Sequence, residues 1–448
     1  MNASLSPHVQ AVPFTREHFL FGSYQEFLRE RIGFLLRLAQ EGDVRGFRLG
    51  PVPLLFFNKA EHAQHILVEH ADDFSKGKLM RKAVGNNGLF VSEGEFHRRQ
   101  RKLMAPCFQP RHIASYAETI IYYAKCLMQE WEDGSVIDID HSMIRFTMSI
   151  IGKVLFDTDF LSETDELGAA INTGLAHAVR TLTSPFMLPL SIPTPYNQRV
   201  RQATCLLETR LSQMIEERRQ HPDDGNDLLS HLLRARDDEG QPMSDQQVID
   251  ECVTLFTAGH ETTAAALAWT WYLLCEHPQI YQKLQQEVDQ ELQGHLPTFE
   301  DLPRLPYCLQ VFKETMRLYP PASGILRESL HDTVIDGYRV PKGATILISP
   351  YTLHRRADAF PEPESFQPER FEPIREKLLP RSAYLPFGAG PRICIGNHFA
   401  LMEGQLLIAA IAQHCTFHLV PGQQIVPDVV HHLALRPGAA VKVSVHVR

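Results

Sequence analysis

The stretch YLPFGAGPRICIGNHFALMEG, Tyr384 to Gly404, places one cysteine, Cys394, among glycines and an arginine directly before an apolar helical run. A thiolate at neutral pH needs hydrogen-bond donors and positive potential. Gly388, Gly390 and Gly396 permit turns with φ above zero, which lets main-chain N–H groups face the sulfur. The helix that follows adds the positive end of its dipole. Arg392 keeps its charge and suits a carboxylate partner. Three readings of Cys394 stand at this point: a small hydrophobe at a helix start, a reactive thiol, or an axial ligand of haem iron. No nearby base or resolving cysteine supports the thiol.

The rest of the 448-residue chain sets bounds. With 44% hydrophobic and 22% charged residues it is globular, and a net charge of -9 argues against nucleic acid as the main partner. Its eight cysteines are scattered without a CxxC pair, which points to a reduced, cytoplasmic setting. The N-terminus MNASLSPHVQAVPFTREHF has no basic start with an apolar segment, and no long uncharged apolar run occurs, so no membrane anchor is expected. The proline-rich stretches Ser184 to Asn197 and Phe360 to Pro373 read as loops. One domain over residues 1–448 is therefore expected, with residues 1–20 as a flexible N-terminal segment. Helical periodicity dominates, with strands at Val44 to Phe57, Val334 to Ser349 and Ala439 to Val447. The class is mainly α with small β-sheets.

Two further helices carry polar groups that need a reason. The first opens where Ser244 and Gln247 have capping-box spacing and stops before Pro278. Roughly 33 residues make it about 50 Å long, the width of a compact protein. From Val253 to Leu274 its only Asp, Glu, Lys, Arg or His side chains are His260 and Glu261, inside the segment AGHETT, Ala258 to Thr263. A zinc H-E-x-x-H motif is excluded, because Ala264 stands where the second histidine belongs. The second helix, LPYCLQVFKETMRLYPP, carries an apolar stripe from Leu305 to Tyr319 and sets Gln310, Lys313, Glu314 and Arg317 on another face.

Within FGAGPRICIG, the residues Phe387, Gly390, Arg392, Cys394 and Gly396 fall into the pattern F-x-x-G-x-R-x-C-x-G. Five fixed positions in ten residues decide among the readings of Cys394. From roughly Phe74 to the C-terminus the chain resembles the cytochrome P-450 superfamily, the haem-thiolate monooxygenases. That resemblance implies a single fold holding haem b between the AGHETT helix and the Cys394 loop. Cys394 would be the proximal iron ligand, with Phe387 and Gly396 beside it and Arg392 at a propionate. Ala258 would leave room next to the cofactor, while Glu261 and Thr262 relay protons to bound dioxygen.

Other segments carry the resemblance further. Glu314 and Arg317 match an E-x-x-R pair and FQPERF adds Arg370, a triad that is structural rather than catalytic. GEFHRRQRKLMAPCF is similar to a G-x-x-W-x-x-x-R helix, with His97 in place of tryptophan, so His97 and Arg101 become propionate contacts. Arg327 of PPASGILRES and His354 of YTLHRRADAFPEP are further cofactor contacts by resemblance, the latter segment departing from the pattern at Arg356 and Ala357.

The implied reaction inserts one oxygen atom into a lipophilic small molecule in a bacterial, cytoplasmic monomer. Electrons would come from NAD(P)H through a separate ferredoxin or flavodoxin docked near Arg98, Arg99 and Lys102. Candidate pocket residues Leu79, Leu89, Phe186, Phe256, Ile325 and Leu435 are apolar, which fits a fatty acid, terpene or polyketide-like scaffold. Two alternatives remain: a peroxygenase, isomerase or coupling enzyme on the same fold, and a non-catalytic haem-binding protein.

Overall fold

The long helix runs from Asp245 to Glu276, and Ser244 caps it by accepting the N–H of Gln247 at 3.3 Å. Gln247 does not complete a reciprocal box; its amide turns to Glu251 instead, at 2.7 Å. This computed structural model describes residues 9–16, 18, 21–159, 166–184, 187–221, 227–428 and 432–448. The helix packs along Ile139–Phe156 and also touches Pro306–Leu318 and the helix Asn397–His414 that follows the cysteine. Gly259 permits the first of these approaches, since a Cβ there would lie 2.9 Å from Ile151 Cδ1. Thr147 of the neighbouring helix donates to the carbonyl of His260 at 2.9 Å, fixing the two helices at the AGHETT segment.

The sheets form where β-branched and aromatic residues cluster. Val44–Leu49 and Val52–Phe57 make an antiparallel hairpin, Thr345–Ile348 adds parallel to its second strand, and Ile325–Ser329 and Phe74–Ser75 complete five strands. Lys442–Val447 pairs between Cys415–Leu419 and Val136–Asp138. Gln10–Ala11 pairs parallel with Tyr338–Arg339, and Phe14 bridges to Gly46. Main-chain hydrogen bonds thus tie Gln10 to Gly337, and Pro13 and Thr15 to Gly46. Among the described residues no helix is long and apolar enough to cross a membrane.

The polar face of Pro306–Leu318 turns inward, not to solvent. Glu314 and Arg317 are wholly buried and paired twice, Nε to Oε2 at 2.7 Å and Nη2 to Oε1 at 2.8 Å. The other guanidinium protons go to the carbonyls of His354, Pro363 and Ser365 at 3.0, 2.7 and 3.0 Å. Glu314 also accepts from the N–H of Gln367 at 2.9 Å and lies 3.4 Å from Arg370 Nε. A buried ion pair is tolerated when every lone pair and proton finds a partner, and here the triad ties the helix to residues 354–370.

From that platform the chain enters the cysteine loop. Tyr384 donates to the carbonyl of Lys313 at 2.7 Å, and the N–H of Leu385 donates to His354 Nε2 at 2.7 Å. Gly388 and Gly390 have φ of +71° and +69°, as expected, whereas Gly396 has an ordinary φ of -90°. Gly390 is the demanding position, because a Cβ there would come within 1.9 Å of the carbonyl oxygen of Leu67. Gly390→Ala is expected to cost about 1–3 kcal/mol from backbone conformation alone, with the clash in addition. Thermal denaturation together with haem content per chain checks this; an unchanged midpoint would contradict it.

Candidate active site

Cys394 sits on a turn closed by its own N–H, which donates to the carbonyl of Phe387 at 2.9 Å. Its sulfur accepts the N–H of Gly396, so that glycine serves as a donor at the helix start and not as a left-handed turn residue. Protein surrounds Cys394 on nearly all sides, yet its surface is exposed, as expected of a side chain facing an internal hollow. Burial pushes the thiol pKa up, while the Gly396 N–H, Arg101 and Lys76 pull it down.

The central helix shows the same signature. Ala258 is exposed although Phe256 and His260 beside it are buried, so a hollow opens on this face of a core helix. Thr262, half-buried and one turn on, donates its hydroxyl to the carbonyl of Ala258 at 2.7 Å. Such a bond outside the helical ladder loosens the turn at that point. Glu261 accepts the main-chain N–H groups of Ala434 and Leu433, and burial raises its carboxyl to about 7.

Around the cysteine loop the structure gathers positive charge. Arg101 Nη1 donates to the carbonyl of Ile393 at 2.8 Å, Arg392 Nη1 to that of Ser92 at 2.7 Å, and Arg327 Nη1 to that of Leu326 at 2.8 Å. Lys76 joins them, its ammonium 4.2 Å from the centre of the Phe90 ring. Burial, then Arg327 and Arg392, hold Lys76 well below the usual lysine range, and burial lowers Arg327 to about 10. Glu93 is the carboxylate among them and is ion-paired with Arg392. His97 is buried in the same place and pushed down to about 4 by burial and by Arg392, Arg101 and Lys76, so its imidazole is neutral.

Four desolvated cations against one carboxylate leave a surplus that a dianionic ligand would neutralise. With an accessible sulfur at the same loop, the residues fit haem b, whose two propionates Arg101, Arg327, Arg392, Lys76 and His97 would hold. Lys76 and Glu93 escaped the sequence reading, because FSKG and SEGE match no pattern and only the fold brings them to the loop.

Several expectations need correction. His354 is not a cofactor contact: both ring nitrogens face main-chain groups, Nδ1 at 3.2 Å from the carbonyl of Arg317 and Nε2 on the N–H of Leu385. Burial, then Arg317, lowers its pKa to about 3, and it acts as a neutral brace under the cysteine loop. Phe256 is 0% exposed and stacked 6.1 Å from Phe156, so it belongs to the helix contact. Leu435 is also 0% exposed, its carbonyl accepting from Trp269 Nε1 at 2.9 Å, whereas Leu433 on the same turn is 38% exposed. Side-chain direction at such a turn has no sequence signal.

Leu79 is 39% exposed, Ile325 is half-buried, and Leu89 is tucked in with its N–H on Glu251 Oε2 at 2.8 Å. Phe186 lies outside the described residues. Phe387 packs at the margin of the main core. The basic residues outside the site are already engaged: Arg98 with Glu95 and Asp72, Arg99 Nε with Asp237 at 2.7 Å, Lys102 with Asp238.

Known proteins of one family resemble this chain over most of its length. The sequence model of one family, described as Cytochrome P-450, matches residues 12–443. The chain is 38% identical to cyclooctatin synthase of Streptomyces melanosporofaciens, over 89% of this chain and 88% of the relative. It is 37% identical to cyclooctat-9-en-7-ol 5-monooxygenase of the same organism, over 90% and 88%, and 30% identical to pentalenene oxygenase of Streptomyces avermitilis, over 91% of each. Among solved structures, retinoic acid bound cyanobacterial CYP120A1 superimposes with a TM-score of 0.88 at 28% identity, covering 98% of this chain and all of the other.

Proposed function

The chain belongs to the cytochrome P-450 family and is a monooxygenase, and from that premise we propose that it oxidises a cyclic terpene or terpene alcohol with electrons from a separate donor protein. The observation that carries the reading is the exposed Ala258 between buried Phe256 and His260 in the middle of the central helix, an apolar residue facing open space where the helix is otherwise packed in the core. Three relatives named for oxidation of terpene skeletons support the substrate class. Leu433, exposed and with its N–H on Glu261, adds an apolar side chain near this part of the helix.

Haem, when bound, supplies dioxygen activation: one oxygen atom enters the substrate and the other leaves as water, with two electrons and two protons consumed. The chain's residues prepare for this. Cys394 holds the iron-binding sulfur against the Gly396 N–H, which limits how much charge the thiolate must carry unaided. Arg101, Arg327, Arg392, Lys76 and neutral His97 would hold the cofactor through its carboxylates. Glu261, its carboxyl raised to about 7, can take up and release a proton near neutral pH, and Thr262, one residue on, offers its hydroxyl oxygen as an acceptor to whatever occupies the hollow while its own proton is held by the Ala258 carbonyl. Apolar side chains at the hollow exclude water and fix which carbon is presented.

A low-spin to high-spin shift on adding cyclic terpenes, followed by identification of a singly oxygenated product, tests the substrate class. A shift with linear fatty acids and none with terpenes would overturn it. Thr262→Ala is expected to keep NAD(P)H consumption while product per NAD(P)H falls about tenfold and peroxide rises, with Thr262→Ser restoring coupling. Peroxide and product assays in parallel read the ratio.

A further inference from the structure

The C-terminal segment returns to the central helix at a point that the family motifs leave unused. Glu261 is 3% exposed, and its Oε1 is buried without a hydrogen bond, 3.7 Å from Nδ1 of His432. That gap admits no water, since two hydrogen bonds in series need about 5 Å. The same Nδ1 lies 3.4 Å from Arg436 Nη1, and Arg436 Nη2 is bound to Asp140 Oδ2 at 2.5 Å. Asp140, at the start of Ile139–Phe156, is influenced in turn by Asp138 and His141, and Arg436 also acts on His260. Among the described residues, charged groups beside His432 are Glu261 from the central helix and Arg436, backed by Asp140.

One ring nitrogen therefore faces a cationic donor and an acidic acceptor together. Unprotonated, Nδ1 accepts from Arg436; protonated, it is repelled by Arg436 and turned toward Glu261. As a structural ion pair the contact would be poor. Arg436 already has Asp140, Glu261 already accepts two main-chain N–H groups, and 3.7 Å is too long for a hydrogen bond.

We propose that His432 is the positioning and proton-supplying residue behind Glu261 in the monooxygenase reaction. The Nδ1–H bond breaks and the proton passes to Oε1, so the carboxylate becomes a carboxylic acid. The imidazole is left neutral, its lone pair toward Arg436. His432, a third exposed, takes its next proton from water. Burial of Glu261 raises its carboxyl toward the ordinary imidazole range, so the carboxylate can accept a proton near neutral pH. The proposal rests on the reading of Glu261 and Thr262 as the proton path.

The test uses holoenzyme carrying isotopically labelled histidine, as the diamagnetic carbon monoxide complex of its reduced form. The His432 resonance, identified by its loss in His432→Gln, is titrated in wild type, Glu261→Gln and Arg436→Gln. Removing the anion is expected to lower the His432 pKa by about half a unit or more and removing the cation to raise it. Separately, His432→Gln is expected to slow product formation about tenfold or more, flatten its pH profile and enlarge the solvent isotope effect. Its carbon monoxide spectrum and lipophile-induced spin shift stay normal. A packing role would be rescued by the isosteric glutamine, so a wild-type rate and pH profile in that variant overturns the proposal, as does a His432 titration indifferent to Glu261→Gln. Because the titration needs no substrate, it remains decisive if terpenes prove not to be turned over.

Discussion

Replacing Cys394 by histidine is expected to leave a folded, haem-loaded protein whose reduced carbon monoxide complex lacks the long-wavelength Soret band of thiolate ligation. Monooxygenation should fall at least about a thousandfold, roughly 4 kcal/mol of barrier. Folding should survive because the turn is held by main-chain bonds, the Cys394 N–H on Phe387 and the Ile393 N–H on Gly390, which do not depend on the side chain. The cysteine side chain faces the hollow, so little core packing is lost. What disappears is the anionic sulfur and the electron density it donates. Absorption spectra and product assays on the same sample read both effects. An unchanged band in the variant would mean that Cys394 is not the ligand.

The second large effect concerns stability. Glu314→Ala or Arg317→Ala leaves a fully buried charge without its partner and should cost about 3–5 kcal/mol. Arg317 also binds three carbonyls with its planar fork, so Arg317→Lys should fail nearly as badly, an ammonium being unable to span them. The segment released includes His354, on which the start of the cysteine loop rests. Loss of haem retention should therefore accompany loss of stability. Urea denaturation midpoints and haem content would show it. A loss below about 1 kcal/mol, typical of an exposed pair, would refute the assignment.

Local pattern made much of this legible. The 3.6-residue period and the Ser244 cap place the central helix, alternation places the main strands, and Phe387 to Gly396 mark the cysteine turn. What stayed hidden depends on residues distant in the chain. Lys76, Glu93 and His432 acquire meaning only beside Arg327, Arg392 and Glu261. Gly396 looked like a conformational residue and proved to be a donor, because sequence carries composition but not φ. Phe256 and Leu435 share the hydrophobicity of pocket residues, and only rotation about the helix and the turn decides that they face the core.

The carboxylates around Arg98, Arg99 and Lys102 bear on how an electron donor would meet this surface if it docked there. Each cation already has a tethered counterion in Glu95, Asp72, Asp237 or Asp238. An acidic donor arriving there would swap one carboxylate for another, and little long-range attraction would precede contact. Encounter on this face would be governed by surface fit and by how readily the loop at Asp237 and Asp238 yields, with only a shallow dependence on ionic strength.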